Sequence, residues 1–336
     1  MSSARLLALV DAFAATRVAV FGDLIADEFI YGEVARVSRE APVLILDYDS
    51  TEIVPGGAGN AANNVAALGG SPIAVGVAGR DETGRRLLQT MRRRIDVRSV
   101  SSPAEYRTPT KTRILAGGVH SAKQQVVRID RGSRSALSDA ARTAVESSLM
   151  SVAARSDALL VSDYGTQLVT PAAVARAQAQ LGRGKRRRKP VLVDSRYSLL
   201  SFRGMTACTP NESEVEHLLG VRIGDDTRVL EKAGRELLSR TRAGAILITR
   251  GSRGMALFET GRPTTHIPIF GSDQIADVTG AGDTVIATMT LALAAGGSYE
   301  EAARLANYAG GLVVMKRGTA TISAEELRHA IRADGS

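Results

Sequence analysis

DVTGAGDTVIA, residues 277–287, is the stretch that decides how the rest of this chain is read. Gly280, Ala281 and Gly282 are small, so the backbone can bend sharply there and present consecutive N–H groups where a helix begins. Free donors and the positive end of the helix together make an anion site. Asp283 falls in the first helical turn, beside whatever anion binds. A carboxylate next to a phosphate is repelled by it unless it faces an attacking hydroxyl. The alternative is that Asp283 only caps the helix, a common use of Asp.

The helical pattern runs on through DTVIATMTLALAAGG and, after a glycine stop, SYEEAARLANYAGGLVVMKRG. Upstream, short apolar runs rich in β-branched residues recur: RVAVFG at 17–22, IAVGVAG at 73–79, ALLVSD at 158–163, PVLVDS at 190–195 and AILITRG at 245–251. Helical patterns lie between them, among them NAANNVAALGG, SDAARTAVESSLMSVAARS and TRVLEKAGRELLSR. Strands alternating with helices of this length predict an α/β fold, a doubly wound and mainly parallel sheet with helices on both faces. Residues 29–54 and 107–130 break the alternation, reading as strand pairs without helices. They predict a small, mostly antiparallel sheet inserted as a lid, within a single domain spanning 1–336.

The chain has 336 residues, 44% hydrophobic and 23% charged, the balance of a soluble globular protein. One cysteine, Cys208, excludes an intrachain disulfide and a thiolate metal cluster, and the four histidines are scattered. No apolar run is long enough to span a membrane, and the N-terminal LLALV is broken by Asp11, so a cytoplasmic protein is expected. The net charge of +8 admits nucleic acid, an acidic membrane or a phosphorylated small molecule as partner. Its arginines are spread and lack interleaved aromatics, which disfavours nucleic acid. The basic run GRGKRRRKP at 182–190 reads as a solvated loop, with a nucleic-acid patch as the minority reading.

Three further motifs carry chemistry. PGGAGNAANNVAALGG at 55–70 places Gly56 and Gly57 for close approach and sets Asn60 and Asn64 one helical turn apart, where amides can bind sugar hydroxyls. The same stretch matches a dinucleotide fingerprint, Gly57-x-Gly59-x-x-Ala62 with Asp81 downstream, which gives Asn60 and Asn64 no role. In TPNESE at 209–214, Asn211 and Glu214 can organise a metal-bound water near phosphates, or can simply begin a helix. TRGSRG at 249–254 is a glycine-rich turn suited to a nucleotide, or an ordinary tight turn. A Walker-type phosphate loop is missing from the sequence.

Taken in this order, the motifs resemble the ribokinase-like (PfkB) carbohydrate kinases over nearly the whole chain. The resemblance implies an ATP-dependent sugar kinase. It makes Asp283 the base and residues 280–282 the anion hole. Asp27, Gly56, Gly57 and Asn60 fall to the sugar. Asn211 and Glu214 fall to Mg2+ and phosphate, with Glu214 acting through water. Thr249, Gly251, Gly254, Thr279 and Asn307 fall to ATP. The resemblance also allows a monovalent cation (K+) and a homodimer formed through the lid.

GDLIADEFIYGEVARVSREAPV, PTKTRI, KQQVVRID, SDYG and RGTATIS are most similar to the branch acting on D-glycero-β-D-manno-heptose 7-phosphate. Its phosphate contacts would fall among Lys111, Arg113, Gln124 and Arg128, which otherwise form a charged lid surface. Thr166 and Gln167 stand where that branch has Lys-Gly, and Ser195 and Arg196 where it has Pro-Lys. Helix-start geometry predicts that Asp283 keeps a low pKa. A nicotinamide-dependent oxidoreductase, a non-catalytic sugar- or nucleotide-binding regulator and a kinase of another sugar such as ribose or fructose are the rival readings.

Overall fold

The computed structural model describes residues 2–117, 123–132, 137–181, 188–271, 277–316 and 318–334. Residues 182–187 of the basic run and Arg317 of RGTATIS lie outside them.

The larger sheet contains β1 (Arg17–Gly22), β4 (Ser71–Val77), β5 (Asp96–Ser101), β8 (Ala158–Asp163), β9 (Val191–Ser195), β10 (Ala207–Cys208), β11 (Ala245–Thr249), β12 (Met255–Glu259) and β13 (Thr265–Ile267). Their order is β13-β12-β11-β10-β9-β8-β1-β4-β5, parallel except for β12 and β13. Every residue of β8 is buried, as expected of a parallel strand covered on both faces. Side chains alternate between two cores: Val18, Val20, Leu160 and Leu247 enter one, and Ala19, Phe21, Val161 and Ile248 the other. The helices that cover these faces are α1 (Ser3–Asp11), α2 (Ala58–Ala67), α3 (Glu82–Met91), α4 (Asp139–Arg155), α5 (Pro171–Leu181), α6 (Glu212–Leu219), α7 (Thr227–Thr241), α8 (Ala281–Ala294), α9 (Tyr299–Val313) and α10 (Ala324–Asp334).

The strand-only stretches form a separate four-stranded sheet, β3-β2-β6-β7, from β2 (Leu24–Val37), β3 (Leu44–Gly57), β6 (Thr110–Gly117) and β7 (Gln124–Arg131). β2 pairs antiparallel with β3 and parallel with β6, and β6 pairs antiparallel with β7.

From β1 the chain winds outward through β4 and β5, then returns to β8 and winds the other way through β9, β10 and β11. The crevice between the carboxyl ends of β1 and β8 is therefore the switch point, where open α/β sheets bind ligands. The side chain of Asp23, just after β1, closes that point. It accepts the backbone N–H groups of Tyr164 (2.8 Å) and Thr166 (3.2 Å) and the Thr166 hydroxyl (2.5 Å) beyond β8.

Candidate active site

Gly280 begins α8 with φ 80°, a conformation that favours glycine, and a Cβ there would stand 2.6 Å from Asn60 Nδ2. The glycine therefore lets the start of α8 press against α2. Across that contact Asn60 Nδ2 donates to Asp283 Oδ2 at 2.7 Å. Asn64 Nδ2 donates to Asn60 O (3.0 Å) and Oδ1 (3.2 Å), and its own Oδ1 accepts from the Thr284 hydroxyl at 2.8 Å. Asn64 has no exposed surface. Its amide fixes Asn60 rather than offering itself to a sugar. From the other side the Tyr164 hydroxyl lies 3.4 Å from Asp283 Oδ1.

Asp283 departs from the helix-start expectation of a low pKa: its carboxyl is pushed up to about 7. Burial is the largest cause and the Asp27 carboxylate adds to it, against the Asn60 and Tyr164 bonds and the Lys111 charge. Desolvation outweighs the helix end because the residue is only 4% exposed. Buried carboxylates accumulate nearby. Asp194 is raised well above its usual value by burial, then by Glu214, Asp283 and Asp163. The Tyr164 hydroxyl is raised well above its ordinary value, above all by the charge of Asp283.

On one side of Asp283 opens a cavity of about 510 Å³ at the carboxyl ends of β8, β9 and β11. It brings together Asn211, Glu214, Thr249, Gly251, Gly254, Asn307, residues 280–282 and Asp283. Thr279 does not line it. Asn211 and Glu214 do begin a helix: Asn211 Oδ1 accepts the Glu214 N–H at 2.8 Å, and Glu214 Oε2 accepts the Asn211 N–H at 3.0 Å. They face the cavity as well, where burial raises the Glu214 carboxyl. The buried Thr209 hydroxyl in the same wall has no hydrogen-bond partner among the described residues.

On the other side lies one face of the small sheet. Asp27, nearly buried, accepts Arg113 Nη1 at 2.6 Å, and the guanidinium covers Phe29 with 5.3 Å between its carbon and the ring centre. Gly56 backs this pair, because a Cβ on it would sit 2.2 Å from Asp27 Oδ2. Gly57 supplies the turn into α2 at φ 56°. Lys111 Nζ stands 4.8 Å above the Tyr164 ring, its pKa lowered mainly by burial. Arg128 pairs across the ladder with Arg113 and is held by Asp130 at 2.7 Å. Gln124 lies apart from this group, exposed and opposite Ala116, roughly 14 Å along β7 from Arg128.

Sequence reasoning gave no role to Asp23, Asp163, Asp194 or Arg196. The available signal was their place at the carboxyl ends of β1, β8 and β9. Two of the residues that depart from the heptose branch are absorbed structurally: Thr166 binds Asp23, and the Ser195 hydroxyl donates to Asp163 Oδ2 at 2.6 Å. The dinucleotide reading fails on geometry. The glycines follow an antiparallel strand of the small sheet, and Asp81 is occupied capping α3 and binding Thr108.

The pfkB family carbohydrate kinase profile matches residues 15–327, and the chain belongs to that family. It is 40% identical over 310 residues to the bifunctional protein HldE of Geobacter metallireducens, covering 92% of this chain and 61% of that protein. Against the protein of the same name from Pseudomonas aeruginosa it is 39% identical over 317 residues, 94% of this chain and 63% of that one. The chain thus spans less than two thirds of these relatives. In fold it is similar to Arabidopsis thaliana ribokinase complexed with ribose and ATP (TM-score 0.70, 19% identity, 94% of this chain and 99% of that one). It is also similar to Escherichia coli phosphofructokinase-2 in complex with substrates and products (TM-score 0.73, 19% identity, 95% and 98%).

Proposed function

We propose that this chain transfers the γ-phosphoryl group of ATP to a hydroxyl of a sugar that already carries a phosphate, O1 of D-glycero-β-D-manno-heptose 7-phosphate. The observation that carries this reading is the position of Asp283 between an anion-accepting cavity and a cationic sheet face. ATP occupies the cavity, with its phosphates against the start of α8 at residues 280–282, where the Ala281 N–H already donates to Val278 O at 3.2 Å, and the nucleoside toward Thr249, Gly251, Gly254 and Asn307. The sugar lies under the small sheet against Asp27, Gly57 and Asn60, with its phosphate toward Lys111, Arg113 and Arg128.

Asp283, with a pKa near the working pH, accepts the proton of the attacking hydroxyl. Asn60 and Tyr164 hold the two carboxylate oxygens in place. Most of the remaining barrier is lowered by positioning and by charge neutralisation of the transferred group. The small sheet acts as the lid that excludes water. Glu214, in the cavity wall, would touch Mg2+ carried on the ATP phosphates through water. Bound there, Mg2+ would offset phosphate charge. Thr319, whose methyl lies beside Gly280, has a buried hydroxyl with no hydrogen-bond partner among the described residues, which suits a monovalent cation such as K+.

The register places Ile30, Ile114, Val127 and Ile129 on the opposite face of the small sheet, with Val127 46% and Ile129 47% exposed. That face, apolar apart from Thr112 and the Glu28–Arg131 pair, supports a homodimer formed through the lid. None of the described helices is long and apolar enough to cross a membrane, and we assign the chain to the cytoplasm, where ATP is available.

An ATP-consumption assay over free and phosphorylated sugars tests the assignment. Preference for an unphosphorylated pentose or hexose removes the heptose phosphate. Turnover with no sugar removes the kinase reading altogether.

A further inference from the structure

A second cavity, about 1140 Å³, opens at the opposite end of the large sheet. It lies where β9, β10 and β11 begin, so their length of five residues or fewer, roughly 17 Å, separates it from the nucleotide cavity. Arg188, Lys189 (paired with Asp157 at 3.5 Å), Arg203, Arg242 and Arg262 line it, and Glu259 is the single acid among the described residues of its wall. These cations come from four separate loops that only the tertiary fold brings together: the entries to β9, β10 and β11 and the turn after β12.

Among the described residues, none of the four arginines is paired with a carboxylate. Elsewhere Arg113, Arg235 and Arg250 are tied to carboxylates, but no ion pair among the described residues engages Arg188, Arg203, Arg242 or Arg262. The Arg203 guanidinium bonds the backbone carbonyls of Leu200 and Phe202, contacts that orient it without neutralising it. Arg242 also departs from local preference. It caps α7 at φ 52°, where glycine is favoured, yet the residue present carries a long cationic side chain into the cavity wall. Like charges gathered in a concave wall repel one another and focus a positive field into the cavity.

We propose that this cavity is a second binding site, for a small phosphate-bearing anion, independent of the catalytic site. A concave wall selects a compact anion over a flat membrane or a rod of duplex. Guanidinium forks suit phosphoryl oxygens. The inference does not depend on the identity of the sugar substrate or on the kinase reading.

Calorimetric titration of the intact protein with inorganic tripolyphosphate tests it, with Arg242→Gly/Arg262→Gln as the variant. Glycine suits the backbone at 242 and residue 262 is exposed, so the variant keeps the fold. Arg262→Gln alone serves as a second, milder variant. A Lys111→Ala/Arg128→Ala protein removes cations from the catalytic side. The expected result is a saturable binding event weakened about tenfold or more in the first variant and retained in the third. Turnover of the first variant at low anion concentration should stay within about twofold of the parent. AMP and ribose 5-phosphate titrated in parallel identify the source: equal affinity assigns recognition to the phosphate, and preference for AMP to a nucleotide. Unaltered binding in the first variant, binding that never saturates, or capture of duplex DNA or anionic vesicles in preference to tripolyphosphate overturns the proposal. Kinase turnover on the same preparations reports separately on the catalytic site.

Discussion

The two sheets of this protein are built by opposite rules. β8 in the large sheet is buried at every residue, whereas β7 in the small sheet is exposed at every residue. The large sheet is held from both faces by helices and positions backbone: the start of α8 at residues 280–282 and strand ends around a cavity. The small sheet contributes charged side chains held by single ion pairs. On the proposed function, one sheet supplies a fixed frame for the phosphoryl donor, and the other an adjustable surface for the acceptor. Chemistry should fail abruptly when the first is altered, and affinity should grade when the second is.

The largest expected effect follows from Asp283→Asn, which should lower kcat at least about a hundredfold while leaving the fold intact. Near-normal turnover would remove the base assignment. Next comes Arg113→Ala, which should raise KM for the sugar about tenfold to a hundredfold, with KM for ATP altered little. If both constants rise together, the division of labour between the sheets is wrong.

The same Asp283→Asn variant should be more stable than the parent at pH 8. The native carboxyl keeps its proton to about pH 7 against an ordinary 3.8, so the native state binds more protons than the unfolded chain between those values. Stability of the parent therefore falls as pH rises through that window, by up to about 4 kcal/mol, and the variant avoids this loss. Denaturant titrations at pH 8 and pH 4 check the sign. A gap that does not shrink toward pH 4 contradicts the assigned burial cost.

Ile129→Lys on the outer face of the small sheet should shift the molar mass in solution from dimer to monomer, at a stability cost under about 1 kcal/mol. An unchanged mass, or a parent that is already monomeric, removes the lid interface. The smallest effect belongs to Gln167, at φ 68° in the loop that follows β8. Gln167→Gly should stabilise the chain by about 1 kcal/mol by relieving a conformation that L side chains avoid. A lower midpoint in urea would show that the Gln167 side chain has an unrecognised partner.

The two-sheet division was legible in the sequence because burial on both faces writes continuous apolar runs, such as ALLVSD, while the exposed sheet interrupts the helical rhythm. GAGD was legible because small residues before a helix have a direct backbone meaning. The protonation of Asp283 was not, since desolvation depends on what packs around the helix end rather than on the end itself. Asn64 was misjudged for a related reason: its one-turn spacing from Asn60 was visible, but its partner Thr284 lies 220 positions away. Gln124 shares a short segment with Arg128, yet an extended strand carries the two well apart. Tyr164 and Asp194 needed the strand order, because only the sheet brings the carboxyl ends of β8 and β9 beside Asp283.

The bond from Asn60 to Asp283 joins positions 223 residues apart. A chain emerging from the ribosome builds β1, the small sheet and α2 long before α8 exists. On the proposed function, partly made copies contain the acceptor side of the cleft without its base or anion hole. A nascent chain that stops short of α8 presents, on that reading, a surface for the sugar but has nothing with which to consume ATP.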